Sequence, residues 1–314
     1  MPITALTALF VKIFIMIALG FFLKKRNIIT SEFQKNLSEF LMTAVLPFSV
    51  LASANSDFSQ ELAEKIGQSA LISIGYYSIA LLLIILLARV LFRKKNEQSE
   101  DKISGIFVTM CVFANTAFLG IPIVKELYGS EGVMYAIIYN LAYQLFLFTV
   151  GIMLLSGQRK LQLKMLCTDI VTLVSILAVL LYISPFRLPV MVTSACEDIG
   201  NMCVPISMIV IGCGMADIKA SDLWKDKFSY LVSFLRLLVF PLLMLVVLNF
   251  LGTSSTLAAA CIVLTALPAG SLNVILAERY HHGFHFATCT VVQTMLLFML
   301  TLPVILLCIE KWIF

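Results

Sequence analysis

Ten long apolar runs, each close to the length of a bilayer-spanning helix, govern what this chain can fold into. They lie near 3–23, 37–55, 66–92, 103–127, 132–156, 165–184, 189–216, 228–251, 256–278 and 284–309. A helix needs about 20 apolar residues to cross a hydrocarbon core of about 30 Å. The runs are continuous rather than alternating with period two, which points to helices and away from an outer-membrane barrel. Of 314 residues, 61% are hydrophobic and only 13% charged. That is roughly half the charged share of a soluble domain, too little to coat a core of this size with polar surface. The expected fold is therefore an all-α polytopic membrane protein with ten transmembrane helices. Residues 3–23 read as the first span and not as a signal peptide. Their basic cluster, Lys24, Lys25 and Arg26, follows the apolar run instead of preceding it, and no small-x-small cleavage site follows.

Charge orients the spans. The loops after spans one, three, five, seven and nine carry Lys24, Lys25, Arg26, Lys35, Arg93, Lys94, Lys95, Lys102, Arg159, Lys160, Lys164, Lys219, Lys225, Lys227 and Arg279, fifteen of the 22 basic residues. The other side has Lys65, Lys125, Arg187 and Lys311, diluted by acidic residues. The positive-inside rule makes the first side cytoplasmic and places both termini outside the cell membrane. No loop is long enough to hold a folded soluble domain, so function must reside in the bundle. Eight cysteines sit singly, mostly within apolar runs, and read as small buried hydrophobes; no metal or disulfide spacing appears. A net charge of +4 with no long basic stretch excludes a nucleic-acid face.

Two halves, 1–158 and 159–314, resemble each other. "IPIVKELYGSEGVMYAIIYN" and "NVILAERYHHGFHFATCTVV" set Glu126 opposite Glu278 and Tyr128 opposite Tyr280. Pro47 in span two and Pro205 in span seven are both expected to kink or interrupt their helices. Five spans per half is an odd number, so the second copy would enter the membrane upside down, as in many secondary transporters.

Spans four and nine depart most from lipid-filling composition. "CVFANTAFLGIPIVKELYG" contains Asn115, Thr116, Gly120 and Pro122; "TALPAGSLNVILAERY" contains Thr265, Pro268, Gly270, Ser271 and Asn273. Proline removes a donor and glycine weakens the helix beside it, leaving amides and carbonyls unpaired at membrane depth. Such backbone is tolerated only against protein or a water-filled cavity. A broken helix also exposes the N-terminus of its second half, whose amides and dipole attract an anion. The expected substrate-binding residues are Asn115, Thr116, Gly120, Pro122, Pro268, Gly270, Ser271 and Asn273, with the amides of Asn115 and Asn273 orienting a carboxylate. The competing reading is ordinary kinks joined by interhelical hydrogen bonds.

Asn140 and Gln144 in span five and Gln293 in span ten are expected to face protein, as packing contacts or as support for the crossing or a coupling ion. Lys12 lies near the middle of span one and is a functional candidate. Arg236 in span eight is expected to snorkel to the cytoplasmic edge. His281, His282 and His285 read as a solvated loop. No Ser/His/Asp set, paired carboxylates or metal constellation suggests an enzyme.

These motifs resemble a known family. "ANTAFLGIPIVKELYG", "LTALPAGSLNVILAERY", "VVQTMLLFMLTLPVI" and "SEFLMTAVLPFSVLAS" are similar to the fourth, ninth, tenth and second spans of the auxin efflux carriers. That family includes plant auxin exporters and bacterial malate and malonate permease-like proteins, and the resemblance covers essentially the whole chain. It implies two inverted five-helix repeats, with spans one, two, six and seven as a scaffold and the others as a mobile transport domain. Spans four and nine would cross at their prolines, beside the substrate, and move it as an elevator. Asn115, Pro122, Pro268 and Asn273 match the crossing helices, and Gln144 a polar support on span five. The chain has Ala114 and Ala117 where the family often has glycine, and span three lacks an acidic residue. The leading expectation is a carrier of small organic anions such as malate, malonate or auxin-like acids. The alternatives are a sodium-coupled carrier of the bile-acid type or a sensor with the same fold. Expected partners are the anion, the lipid bilayer and a proton or sodium ion, with a homodimer as one open assembly. Neither cofactor nor metal is expected.

Overall fold

In the computed structural model, residues 3–54, 59–92, 97–156, 167–184, 186–216, 225–280 and 283–314 are described, with side chains omitted at 3–10 and 97–103. Arg93, Lys94, Lys95, Arg159, Lys160, Lys164, Lys219, His281 and His282 lie outside the described residues, as does the side chain of Lys102.

Among the described residues the chain is helical, with no strand beyond one isolated bridge. The helical segments are α1 Ile3–Lys25, α2 Ser31–Ala54, α3 Gln60–Leu91, α4 Glu97–Val112 and α5 Thr116–Ser156. They continue as α6 Ile170–Ile183, α7 Val190–Ala216, α8 Lys227–Phe250, α9 Ser255–Ala266, α10 Ser271–Arg279 and α11 Phe284–Trp312. Six of these, α2, α3, α5, α7, α8 and α11, are long and apolar enough to cross a membrane; α6 and α9 are shorter apolar helices. Segment α5 bends at Gly129, whose φ of 63° and ψ of −154° are open to glycine but strained for other residues. It is thus two helical arms meeting at that residue, which corresponds to the expected gap between 127 and 132.

Three prolines do not break the chain where they stand. Pro47, Pro122 and Pro241 each follow a π-turn, over Leu41–Val45, Thr116–Gly120 and Leu235–Val239. A proline ring collides with the carbonyl four residues earlier, and here those carbonyls belong to Thr43, Phe118 and Leu237, the middle residue of each wide turn. The residue before each proline bonds five residues back, Leu46 to Leu41, Ile121 to Thr116 and Phe240 to Leu235. The widened turn absorbs the ring and the helix continues, so the interruption expected at Pro47 is a π-turn instead. In α7 the irregular residue is Met202, three positions before Pro205.

Packing sorts the segments. Helix α1 runs along the second part of α7, and the end of α2 lies against α6 and the first part of α7. Helix α3 packs on α4 and α5, α9 on α5 and α8, and α11 on α8 and α10. Segment α9 is buried from Leu257 through Ala266, and α4 from Ile106 through Val112. Helices that are apolar all round belong in the interior, and these two hold the centre while α3, α6 and α8 turn leucines outward. The α1–α7 contact is very close. A Cβ on Gly212 would lie 2.0 Å from the Ile17 carbonyl oxygen, and one on Gly20 would lie 2.1 Å from that of Ile209. Backbone approach of this kind drives helix association where lipid removes any hydrophobic gain. Gly212→Val is expected to lower the thermal midpoint of detergent-purified protein, since overpacking typically costs about 1–3 kcal/mol. Gly75→Ala, where nothing lies within 4 Å, should leave the midpoint unchanged or higher; equal midpoints for both variants would contradict this packing.

Candidate functional site

The centre of the molecule is a crossing of two chain breaks. Helix α4 ends at Val112 and α5 begins at Thr116; α9 ends at Ala266 and α10 begins at Ser271. In the two gaps Ala114 and Ala269 form an antiparallel bridge. The Asn115 amide donates to the Pro268 carbonyl and the Gly270 amide to the Phe113 carbonyl, both at 3.0 Å. A third amide, that of Ala269, donates to the Thr294 hydroxyl of α11 at 3.1 Å. Each gap thereby satisfies the other's backbone groups, as an apolar surround demands. Gly270 permits the approach, because a Cβ there would come within 2.8 Å of the Ala114 oxygen. The second break contains Pro268. In the first, Pro122 sits seven residues past Asn115, inside α5, where the π-turn absorbs its ring. The crossing therefore runs through Pro268 on one chain segment and Ala114 on the other.

A cavity of about 450 Å³ opens beside the crossing. Ala114, Asn115, Thr116, Ala117 and Phe118 line it from one segment and Gly270, Ser271 and Leu272 from the other. These residues lead into and form the first turns of α5 and α10, whose leading amides, at 116–118 and 271–272, have no partner within their own helices. The wall is completed by Tyr143, Gln144 and Phe148 on α5, and by Ser38, Glu39, Thr168, Asp169 and Arg279 toward one end. That end adjoins the helix termini from which the basic loops depart.

The expected site residues divide. Asn115, Thr116, Gly270, Ser271 and Gln144 line the cavity. Thr116 donates to Asn140 Oδ1 at 2.7 Å, which joins the start of α5 to its second arm. Gly120 lies beneath, where a Cβ would strike Leu264 and Leu267 side chains. Asn273 is fully buried and points away from the cavity, with Nδ2 donating to the Phe113 carbonyl at 2.9 Å. Its amide caps the end of α4 instead of reaching toward an occupant. Gln293 accepts from the Ser233 hydroxyl at 3.2 Å and ties α11 to α8. Lys12 is partly exposed and pairs with Glu126 at 2.5 Å, linking α1 to α5 away from the cavity. Nearby, Lys125 donates to Asn201 on α7 at 3.2 Å and to Ser49 on α2 at 3.4 Å.

One residue was not singled out from the sequence and another is placed differently from the expectation. Asp169 lay inside an expected span; it N-caps α6, accepting from the Thr172 amide and hydroxyl and from Gln144 Nε2. An acidic residue just before an apolar run was the available signal. Arg236 does not snorkel. It is fully buried in the π-turn that accommodates Pro241, and donates from Nε to the Leu267 carbonyl at 2.8 Å and from Nη1 to the Cys111 carbonyl at 2.6 Å. Among the described residues no group of three or more His, Cys, Asp or Glu could hold a metal ion.

Broken helices joined back to back inside an apolar bundle, with a cavity carrying a few polar side chains at the join, fit a membrane transport protein. The profile of the family described as membrane transport protein matches residues 5–171 and 163–306, so the chain belongs to that family, the auxin efflux carrier family its motifs resemble. A relative in Methanocaldococcus jannaschii, described as an uncharacterized transporter, is 22% identical over 278 residues, covering 85% of this chain and 87% of its own.

The bond from the Ala269 amide to Thr294 is expected to be essential to the crossing. Thr294→Val keeps the shape but orphans a buried N–H, at a cost of about 1–3 kcal/mol. Thermal unfolding in detergent should show that loss, and an unchanged midpoint would mean that α11 does not hold the break.

Proposed function

We propose that this protein carries small organic anions, carboxylates first, across the plasma membrane by an elevator motion. The observation that carries the reading is the pair of helix N-termini opening on one cavity. Each such end bears about half a positive charge, so together they offer roughly the complement of one carboxylate. Asn115 and Ser271 add polar side chains at the same wall. The volume falls in the usual range for small-molecule sites, about 300–1,000 Å³.

In this reading the chain forms ten spans in two inverted repeats, 1–158 and 159–314. Segment α4 with the first arm of α5 is span four, and α9 with α10 is span nine. The mutual packing of α1, α2, α6 and α7 supports a scaffold of spans one, two, six and seven, against which the rest moves. The cavity opens toward the helix ends that flank the basic segments of the sequence, the side that the positive-inside rule assigns to the cytoplasm, with both termini outside. On the far side, the Lys12–Glu126 pair and the Lys125 contacts hold the two parts together in this state.

Proteoliposomes loaded with labelled malate, malonate or indole acetate test this directly. At least one should be transported, and Asn115→Ala should slow it about tenfold or more, the worth of a hydrogen bond to a charged group, without lowering the thermal midpoint. Flux of a cation with none of any carboxylate would overturn the reading.

A further inference from the structure

Arg236 poses a problem of charge. Its side chain has no exposed surface, and among the described residues no carboxylate pairs with it. An isolated cation buried in an apolar bundle is too costly to persist without compensation. The Tyr76 hydroxyl lies beside the guanidinium but is neutral, so the two carbonyls that the guanidinium donates to identify the compensation. Cys111 lies in the last turn of α4, and Leu267 is the residue at which α9 stops. Both accept through backbone carbonyls, so the guanidinium sits between the C-terminal ends of the two broken half-helices. Each C-terminal end carries about half a negative charge. Two ends supply roughly one, which matches one guanidinium.

The crossing is therefore polarised. Its two N-terminal ends open on the cavity, and its two C-terminal ends close on Arg236. Without the arginine the carbonyl ends would face one another across buried space and require a cation from solution. We propose that Arg236 is the resident cation of the crossing, a positioning residue that fills, within the chain, the place a bound monovalent cation would otherwise occupy. The negative ends of the crossing are then neutralised within the chain, and loading an anion needs no sodium. A third nitrogen, Nη2, is buried without a hydrogen-bond partner. The Tyr76 hydroxyl, also buried without a regular partner, is the polar group beside the guanidinium. The consequence for transport rests on the anion-carrier reading; the charge argument stands apart from it.

The test removes the charge and supplies it again. Arg236→Ala leaves both carbonyl ends uncapped and vacates the space of the side chain. Its thermal midpoint in detergent should fall well below that of the unmodified protein. Guanidinium chloride, far below denaturing concentration, should raise it again, whereas urea, a neutral planar analogue, should not. The unmodified protein should show no rise with either. Arg236→Met, which fills the space without charge, should behave as Arg236→Ala does before rescue, and Arg236→Lys should retain part of the stability. In proteoliposomes, carboxylate flux of the unmodified protein should be equal in sodium and choline. Flux of Arg236→Met should be lower by about 10- to 100-fold, the usual effect of a group that orients a site from behind. Equal midpoints for Arg236→Met and the unmodified protein would overturn the proposal, as would rescue of Arg236→Ala by urea as well as guanidinium. Loss of flux on replacing sodium by choline would also overturn it. Selective guanidinium rescue in a protein that moves no carboxylate would uphold the resident cation and reject the substrate class.

Discussion

The fold depends on how two interrupted helices dispose of backbone groups that have no water to turn to. At 113–115 and 267–270 the ladder of helical hydrogen bonds lapses at the centre of an apolar bundle. Each lapse repairs the other, through Asn115 to Pro268 and Gly270 to Phe113. Everything near the crossing serves that repair. Gly270 is small enough to let the two strands touch, Thr294 takes the Ala269 amide, and Asn273 takes the Phe113 carbonyl. The stretches Ile106–Val112 and Leu257–Ala266, which lead into the breaks, are buried, because an exposed break would face lipid.

The repair also sorts charge. Half-helices that meet head to head bring two positive ends to one side and two negative ends to the other. At this crossing the negative side contains an arginine and the positive side contains a cavity. A membrane protein seldom spends a buried cation without purpose, and here the cation makes the opposite face of the crossing electrostatically simple. At the crossing itself the cavity is lined by no lysine or arginine; Arg279 lies toward its end.

Much of this was legible in the sequence, because its causes are local. Ten apolar runs, the basic loops and the clusters of Gly, Pro, Asn and Ser at 114–122 and 268–273 followed from composition and hydrogen-bonding need. The position of each break was less legible. Pro122 suggested a break at itself, but a π-turn absorbed it, and the lapse fell at Ala114, where no residue type announces it. Arg236 was misplaced for a related reason. Nine residues into α8 it lies about 13.5 Å from the helix start, close to mid-bilayer and beyond easy snorkelling. Its partners, Cys111 and Leu267, are carbonyls distant in sequence, and backbone acceptors leave no mark in the residue pattern. Asn273 was identified as a crossing residue, but which way its amide turns depends on packing alone.

The central claim is that an anion sits against the first turns of α5 and α10. The most direct measurement is a structure of the protein soaked with a bromine-substituted carboxylate that it transports, located by the anomalous signal of the bromine. The molecule is expected in the cavity, with its carboxylate against the amides at 116–118 and 271–272. A carboxylate bound with full occupancy at any other place, and none at the crossing, would contradict it.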